Sequence, residues 1–444
     1  MSIRVSSNQM VYGYQKQLND ANSRQTKLLE QGDGSKLHRP SDDSVDYSKY
    51  LRYTVSENEN VQYQDNVSTA LSWMKTSDAA LVNMTNIQMT FKEKTVAAAN
   101  STNNASDMAA IAKEMMAEIQ ELVSLGNTMQ GDSYVFGGQT DLTKPFLMST
   151  EEVDRGLAKT LDENQSAFFS GDGDVDNTGV MKQMLTLTGD DGNTYYLNTK
   201  TGKVYSQEFV EEGYKDKIAS QSRNQVVDGD EVGTIDGWKN GSVKVSTYFT
   251  NTGQLTDAGK TYNNPVTLNG KDVKVKFATV KQQIVTYHGD DKGVSMVKKN
   301  GSTEPVADTV NVTGPEIFGT DIFDDASSGN KASGSAMLNQ MLTIRAQVEK
   351  SDHKWLSKDG QTVADAVHST TVNTETKLGA RQQLYDSVKT MLDNQNEIIM
   401  ADITKVSSTD VAKLAVQLMQ EQTIYNMSLS LGGRILPQSL ADYL

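Results

Sequence analysis

Stepping alternately by three and four residues from Val67 lands on Val67, Ala70, Met74, Ser77, Leu81, Met84, Gln88, Phe91, Thr95 and Ala98, and seven of these ten are apolar. That spacing is the seam of an amphipathic helix, and neither proline nor glycine interrupts the chain from Tyr47 to Ala98. A polar break, Asn100 to Asn104, precedes a second stripe at Met108, Ile111, Met115, Ile119, Leu122, Leu125 and Met129. Ser106 or Asp107 is its expected N-cap and Gly131 its expected stop. Two helices joined by so short a break are expected to fold back on each other as an antiparallel pair.

The same spacing returns towards the other end. From Leu378 it gives Leu378, Arg381, Tyr385, Val388, Leu392, Gln395, Ile399, Asp402 and Val406, six of nine apolar. Gln395 falls on that seam, where a lone polar residue fixes register at some cost in packing. A last helix is expected to open at Ser408-Thr-Asp410 and to carry Val411, Ala415, Leu418, Gln422, Tyr425 and Leu429. Gly432-Gly433 should end it and Pro437 prevent its resumption. The first residues have helical spacing too, at Met10, Tyr14, Leu18 and Leu28, but Asn, Gln and Ser interrupt the stripe. So little apolar area does not offset the entropy of ordering a lone helix, so the outermost segments are expected to fold only when neighbouring chains complete them.

Between the ends the period changes to two. Leu185 to Asn198 reads as two strands around a Gly-Asp-Asp-Gly turn, Thr199 to Tyr205 adds another turn and strand, and Val243 to Phe249 and Val273 to Phe277 alternate. Residues 147–332 hold 21 of the 33 glycines, whereas 15 of the 19 methionines lie outside that stretch. The expected fold is α+β: a long antiparallel helical coiled-coil core from both chain ends, with a β-rich inserted outer domain. The boundaries are an N-terminal assembly segment 1–45, disordered in the monomer, helical rods 46–146, the β-rich domain 147–332, helical rods 333–406, and a C-terminal assembly segment 407–444, also disordered in the monomer.

Composition narrows the function. The formal net charge of −15 over 444 residues repels phosphate backbones and anionic lipid heads, which argues against nucleic acid or membrane as a partner. There is no cysteine, so thiol chemistry is excluded. The four histidines, His38, His288, His353 and His368, offer no helical metal-ligand spacing, and no glycine-rich phosphate loop joins a strand to a helix. No catalytic, cofactor or metal site is therefore expected. Acidic runs such as Gly189 to Gly192, Asp324-Asp325 and Gly171 to Asn177 read first as solvated turns, with calcium held by their carboxylate oxygens as the alternative. The N-terminus lacks the basic start and apolar stretch of a signal peptide, so export would need a route that ignores one.

Four motifs carry a resemblance. Arg39-Pro-Ser-Asp-Asp43 follows a polar N-terminal helix, Gly131-Asp-Ser-Tyr-Val-Phe-Gly-Gly138 is followed by Pro145-Phe146, Leu378-Gly-Ala-Arg381 opens the late stripe, and the chain ends Gln438-Ser-Leu-Ala-Asp-Tyr-Leu444. Together they resemble the flagellin superfamily, and the Tyr-x-Phe-x-Gly turn with its trailing Pro-Phe is similar to the hook-filament junction branch, the third hook-associated proteins. The resemblance implies a structural, non-enzymatic subunit of the bacterial flagellum, exported by the flagellar type III route and located outside the cell. Its implied partners are copies of itself in a ring, the first hook-associated protein, flagellin and a cytoplasmic export chaperone. It implies structural or interface roles for Arg39, Pro40, Ser41, Asp42 and Asp43 at a bend, for Tyr134, Phe136, Gly137 and Phe146 as anchors, and for Leu378, Gly379, Arg381, Leu440, Tyr443 and Leu444. A filament flagellin, or a flagellin-like subunit whose outer domain is an adhesin or enzyme, are the alternatives.

Overall fold

The computed structural model describes residues 2–170, 182–220, 223–294, 309–324 and 332–435. The chain divides into two compact units, Met1–Asn66 with Ser387–Leu444, and Val67–Asp386. Its long helices are α1 (Ser2–Glu30), α2 (Ser44–Ala98), α3 (Ala105–Gly126), α10 (Ala336–Glu349), α12 (Gln361–Ser407) and α13 (Val411–Ile435). Short helices α4 (Glu163–Phe169), α5 (Tyr214–Ala219), α6 (Asp236–Lys239), α7 (Val245–Tyr248), α8 (Asp257–Lys260), α9 (Gly314–Phe318) and α11 (His353–Trp355) lie between them, with π-helical turns at Phe209–Gly213 and Leu356–Gly360. The α+β class expected from the periodicities is what the structure shows.

In the second unit, all ten positions of the Val67 stripe are buried, the polar Ser77, Gln88 and Thr95 included. The polar members survive burial because each finds an acceptor or donor. The Ser77 and Thr95 hydroxyls bond back to the carbonyls of Trp73 and Phe91, and Gln88 Nε2 donates to Thr371 Oγ1 at 2.9 Å. The last contact crosses to α12, whose own stripe is Ala364, Val367, Thr371, Thr374, Leu378, Arg381 and Tyr385. Gln382 to Met74, Glu375 to Thr85 and Asp365 to Lys92 complete a ladder in which rising numbers on one helix meet falling numbers on the other. The two chain ends are thus antiparallel partners here.

Helix α3 turns back along α2, with Lys94 bridging Glu114 and Glu118 at 3.0 and 2.9 Å, and its other flank packs closely along α10. Its N-cap is Asn104, not Ser106 or Asp107. The Asn104 carboxamide accepts the backbone N–H groups of Ser106 and Asp107 while Asp107 returns a bond to the Asn104 N–H, a reciprocal capping box. It also stops earlier than expected, at Gly126, so that Met129 and Gly131 belong to the next turn.

The middle of the chain builds a seven-stranded antiparallel sheet from β5 (Ala158–Thr160), β6 (Gln183–Gly189), β7 (Thr194–Leu197), β8 (Lys203–Ser206), β9 (Gly233–Thr234), β10 (Asn264–Leu268) and β11 (Lys271–Phe277). Its order is β10-β11-β6-β7-β8-β9, with β5 pairing the first half of β6 beyond the reach of β11. The hairpin expected at Leu185 to Asn198 is present, Thr188 facing Thr194 across the turn. Leu185, Leu197, Val204 and Val273 face one core around Trp238 and Phe249, while Met184, Tyr196 and Tyr205 face another around Phe168 and Phe169. Of Val243 to Phe249, expected as a strand, Val245–Tyr248 instead form the short helix α7, with Phe249 just beyond its end. Val245 and Phe249 are its buried pair, and a spacing of four places them on one side of a helical turn as well as on one face of a strand.

The first unit is thinner. On α1 only Ala21 is buried among residues 11–30, with Tyr14, Leu18 and Leu28 half-buried. Helix α1 packs along α13, where Arg24 Nε meets Glu421 Oε1 at 3.0 Å. Asp410 caps α13 through the N–H groups of Ala412 and Lys413. The packed stripe of α13 runs through Leu414, Leu418 and Tyr425, not from Val411 and Ala415, and Val411 is 69% exposed. The helix also continues through Gly432 and Gly433 to Ile435, since an α-helical glycine loses entropy without blocking any hydrogen bond. Pro437 lies outside the described residues. Gln395 points to solvent, and the polar seam residues are instead its neighbour Asn396, half-buried, and Asn60, which is 3% exposed.

Candidate functional site

Within the first unit, the Arg39 to Asp43 turn makes the bend its composition suggests. Asp42 Oδ2 accepts the backbone N–H groups of His38 and Arg39 at 3.2 and 2.9 Å, and Asp43 Oδ1 accepts those of Val45 and Asp46, both at 3.0 Å. One carboxylate closes the turn and the next caps α2. The Arg39 N–H bond, foremost, holds the Asp42 carboxyl below its ordinary range. Arg39 itself reaches back to Glu30 at 2.8 Å, while Pro40 and Ser41 sit exposed at the corner. Directly before the bend, Lys36 N–H donates to Ser407 O at 2.7 Å and Thr409 N–H donates to Gly34 O at 2.9 Å. These bonds stitch the turn after α1 to the turn before α13.

In the second unit, the Gly131 to Gly138 motif forms a tight hairpin of β1 (Met129–Gln130) and β2 (Ser133–Tyr134), with Gly131 at φ 60°. Phe136 is wholly buried and Tyr134 half-buried. A Cβ on Gly137 would lie 2.8 Å from Thr140 O, so the close return of this loop excludes larger residues. Phe146 opens β3 (Phe146–Met148), which pairs with β13 (Val285–Tyr287). Its ring lies 5.0 Å from Tyr287 and 5.1 Å, edge-on, from Phe318, and it rests against Gly126, where a Cβ would come within 2.8 Å of Cδ2.

Two residues essential to this arrangement were not among those expected. Asn127, the C-cap of α3, clamps the Phe146 backbone on both sides: Oδ1 accepts its N–H at 2.9 Å and Nδ2 donates to its carbonyl at 3.0 Å, and to Val123 O at 2.7 Å. Tyr287 gathers the motif, its hydroxyl 2.9 Å from the carbonyl oxygens of both Phe136 and Asp290, and burial pushes that hydroxyl up to about 12. An Asn after the last helical residue is a readable cap signal. Nothing local marks Tyr287, which arrives from 140 residues away in sequence.

Leu378 and Arg381 both face inward on α12. Leu378 is wholly buried in the seam, whereas Arg381 donates to Asn311 O at 3.2 Å and pairs with Glu316 of α9. Gly379 faces open space. Leu440, Tyr443 and Leu444 lie outside the described residues. The acidic hairpin Gly189 to Gly192 is a structural turn: Asp190 exchanges bonds with the Lys274 backbone of β11, its Oδ1 accepting the Lys274 N–H at 3.1 Å, and Asp191 Oδ2 accepts from the Tyr195 hydroxyl at 2.6 Å, a bond that, first among several, keeps this carboxyl low. All of this is packing, capping and register.

Helical segments from both ends of the chain pair antiparallel in the second unit, and one of those ends matches a known family model. Residues 5–140 match the bacterial flagellin N-terminal helical region. It is 25% identical over 170 residues to flagellar hook-associated protein 3 of Salmonella typhimurium, an alignment covering 37% of this chain and 53% of that protein. To polar flagellin A of Vibrio parahaemolyticus it is 22% identical over 438 residues, 97% of this chain and 96% of the other. The crystal structure of hook-associated protein 3 of Legionella pneumophila superposes with a TM-score of 0.37 at 13% identity, covering 80% of this chain and 98% of that one. The chain spans about half the length of the curated hook-associated relatives it matches.

Proposed function

We propose that this chain is the flagellar subunit that joins the hook-associated ring to the filament. Flagellar components are parts of the bacterial flagellum, and among the described residues no helix is long and apolar enough to cross a membrane. The observation that carries a structural rather than catalytic reading is the α2–α12 seam: the ten stripe positions of α2 from Val67 to Ala98 are all buried, and contacts such as Gln88 to Thr371 and Gln382 to Met74 join helices from the two ends of the chain. The junction reading is supported by the similarity to hook-associated protein 3 and by the Phe146 anchor that follows the Tyr134 to Gly138 loop.

In this reading residues 1–45 and 407–444 are assembly segments that order against neighbouring copies, consistent with the sparse burial along α1 and α13. The partners are further copies in a ring, the first hook-associated protein on one side and flagellin on the other. Arg39 to Asp43 set the bend, Tyr134, Phe136 and Phe146 anchor the outer domain 147–332, and Leu440, Tyr443 and Leu444 belong to the assembling terminus. The chain reaches its place by flagellar export with a cytoplasmic chaperone and catalyses nothing. Purified chain added to hooks tipped with the first hook-associated protein should add a short, self-limited layer that flagellin then extends. A second reading, the filament flagellin itself, draws on the alignment with polar flagellin A over 97% of the chain. Unlimited growth of the chain alone on such hooks would establish it and overturn the junction.

A further inference from the structure

Lys159 of β5 and Asp359 of the π-helical turn Leu356–Gly360 form an ion pair whose side chains are 3% and 9% exposed. A charged pair withdrawn from water loses most of its hydration, and its mutual attraction recovers that only when every remaining polar hydrogen is satisfied. Lys159 does not meet that condition. Among the described residues its ammonium has one hydrogen-bond partner, Asp359 Oδ1, for three donor hydrogens. The register pairs Lys159 with Met184, so its side chain leaves the sheet on the face of Met184, Tyr196 and Tyr205, towards the aromatic core of Phe168, Phe169 and Tyr214.

A third carboxylate attends the pair. Glu211, in the π-helical turn Phe209–Gly213, accepts from Lys358 Nζ at 2.7 Å and from Gln207 Nε2 at 2.6 Å. Burial opposes its charge, but those bonds, with help from the nearby charge of Lys159, hold it ionised below the ordinary range. Burial pushes the Asp359 carboxyl up against the pull of Lys159, and Glu211 pushes it further the same way. A lysine and an aspartate inclined to hold a proton therefore meet beside the aromatic core, with a second carboxylate near enough to press on that aspartate's charge.

From this geometry we infer that Lys159 and Asp359 condense into an intramolecular isopeptide bond between Lys159 Nζ and Asp359 Cγ. One ammonium proton passes to the Asp359 carboxylate, leaving a neutral amine in contact with a carboxylic acid. The amine lone pair attacks Cγ and forms the C–N bond. The C–O bond to the protonated oxygen then breaks as a second hydrogen passes from nitrogen to that departing oxygen, and water leaves. Ammonium plus carboxylate become amide plus water, with no change in net charge or oxidation state. Held contact replaces a bimolecular encounter, and the product removes two buried charges in favour of a neutral amide with one N–H to satisfy. The bond ties the sheet to the turn that enters α12, 200 residues later in the chain, a covalent brace suited to a subunit under load.

Intact-mass spectrometry of the full chain tests this directly. The folded protein is expected about 18 Da, one water, below its sequence mass, and Asp359→Asn about 17 Da, one ammonia, below its own, because both lose a small molecule to make the same amide. Lys159→Arg and Asp359→Ala should show their sequence masses. Tryptic digestion of the wild type should yield a branched peptide joining the segment around Lys159 to the one beginning at Asp359. A wild-type chain that is folded by circular dichroism yet has its full sequence mass, with linear peptides ending at Lys159, overturns the inference and leaves an ordinary buried ion pair.

Discussion

Arg155→Met removes a cation from the most buried charged cluster in the described residues. Arg155 is 1% exposed, its Nε donates to Thr252 O at 2.9 Å, its Nη2 meets Asp321 Oδ2 at 2.6 Å, and its Cζ lies 4.9 Å above the Phe323 ring. Asp321 is equally buried, and its neighbour Asp324 accepts from Ser333 and from the Asp321 N–H. One cation thus serves two buried carboxylates. Breaking a buried pair by deleting one partner costs about 3–5 kcal/mol, because the remaining charge is stranded, whereas methionine keeps most of the volume. All three tryptophans, Trp73, Trp238 and Trp355, belong to the second unit, so urea denaturation followed by tryptophan fluorescence reports on that unit alone.

The pH dependence carries a sign. Burial and the adjacent Asp321 push Asp324 up to about 7 in the folded state, above its ordinary value of 3.8. A raised acid binds its proton more tightly when folded, so its contribution is complete below about pH 4, is lost as pH rises towards 7, and is flat beyond. Arg155→Met removes the attraction that lowers Asp321, so that carboxyl rises further and the decline is carried to higher pH. The variant should therefore lose most stability at pH 8 and less at pH 5, and Arg155→Met/Asp321→Asn should recover much of the loss at pH 8. A single variant within about 1 kcal/mol of wild type at pH 8, or a loss independent of pH, would refute the reasoning.

Other consequences follow from single contacts. Asn127→Ala removes the two-sided clamp on Phe146 and strands its buried backbone groups, at an expected cost of about 2–3 kcal/mol in the same fluorescence assay; Asn127→Asp should keep only the acceptor half and fall between. Asn60 is buried with neither amide atom hydrogen-bonded, so Asn60→Leu should stabilise the first unit by about 1–2 kcal/mol by circular dichroism, and an unchanged or lowered midpoint would show that the amide has a partner after all. Asp43→Ala should cost that unit about 1 kcal/mol through the lost cap of α2, with Asp43→Asn close to neutral.

What could be read in advance was what repeats. The Val67 stripe is right at all ten positions because apolar residues recur at helical spacing over its whole length, and Val273, Val275 and Phe277 alternate as a half-buried strand must. Errors arose where two periods agree or where a residue merely permits a break. Val245 and Phe249 suit strand and helix alike, Gly432-Gly433 weaken a helix without ending it, and Gln395 lost the seam to Asn396, one position along. The anchors around Phe146 were half legible: their aromatics and glycines lie in one motif, but Tyr287 joins them only through a strand pairing across the fold. The Lys159–Asp359 pair has no local signature at all, since its members meet only after β5 has paired with β6 and the chain has entered α12.

Electron microscopy of cells lacking this chain, with and without the wild-type gene restored, tests the central claim most directly. A junction subunit predicts complete hooks without filaments, flagellin monomer released into the medium, and filaments regained on restoration. Filaments of normal length in its absence would contradict it.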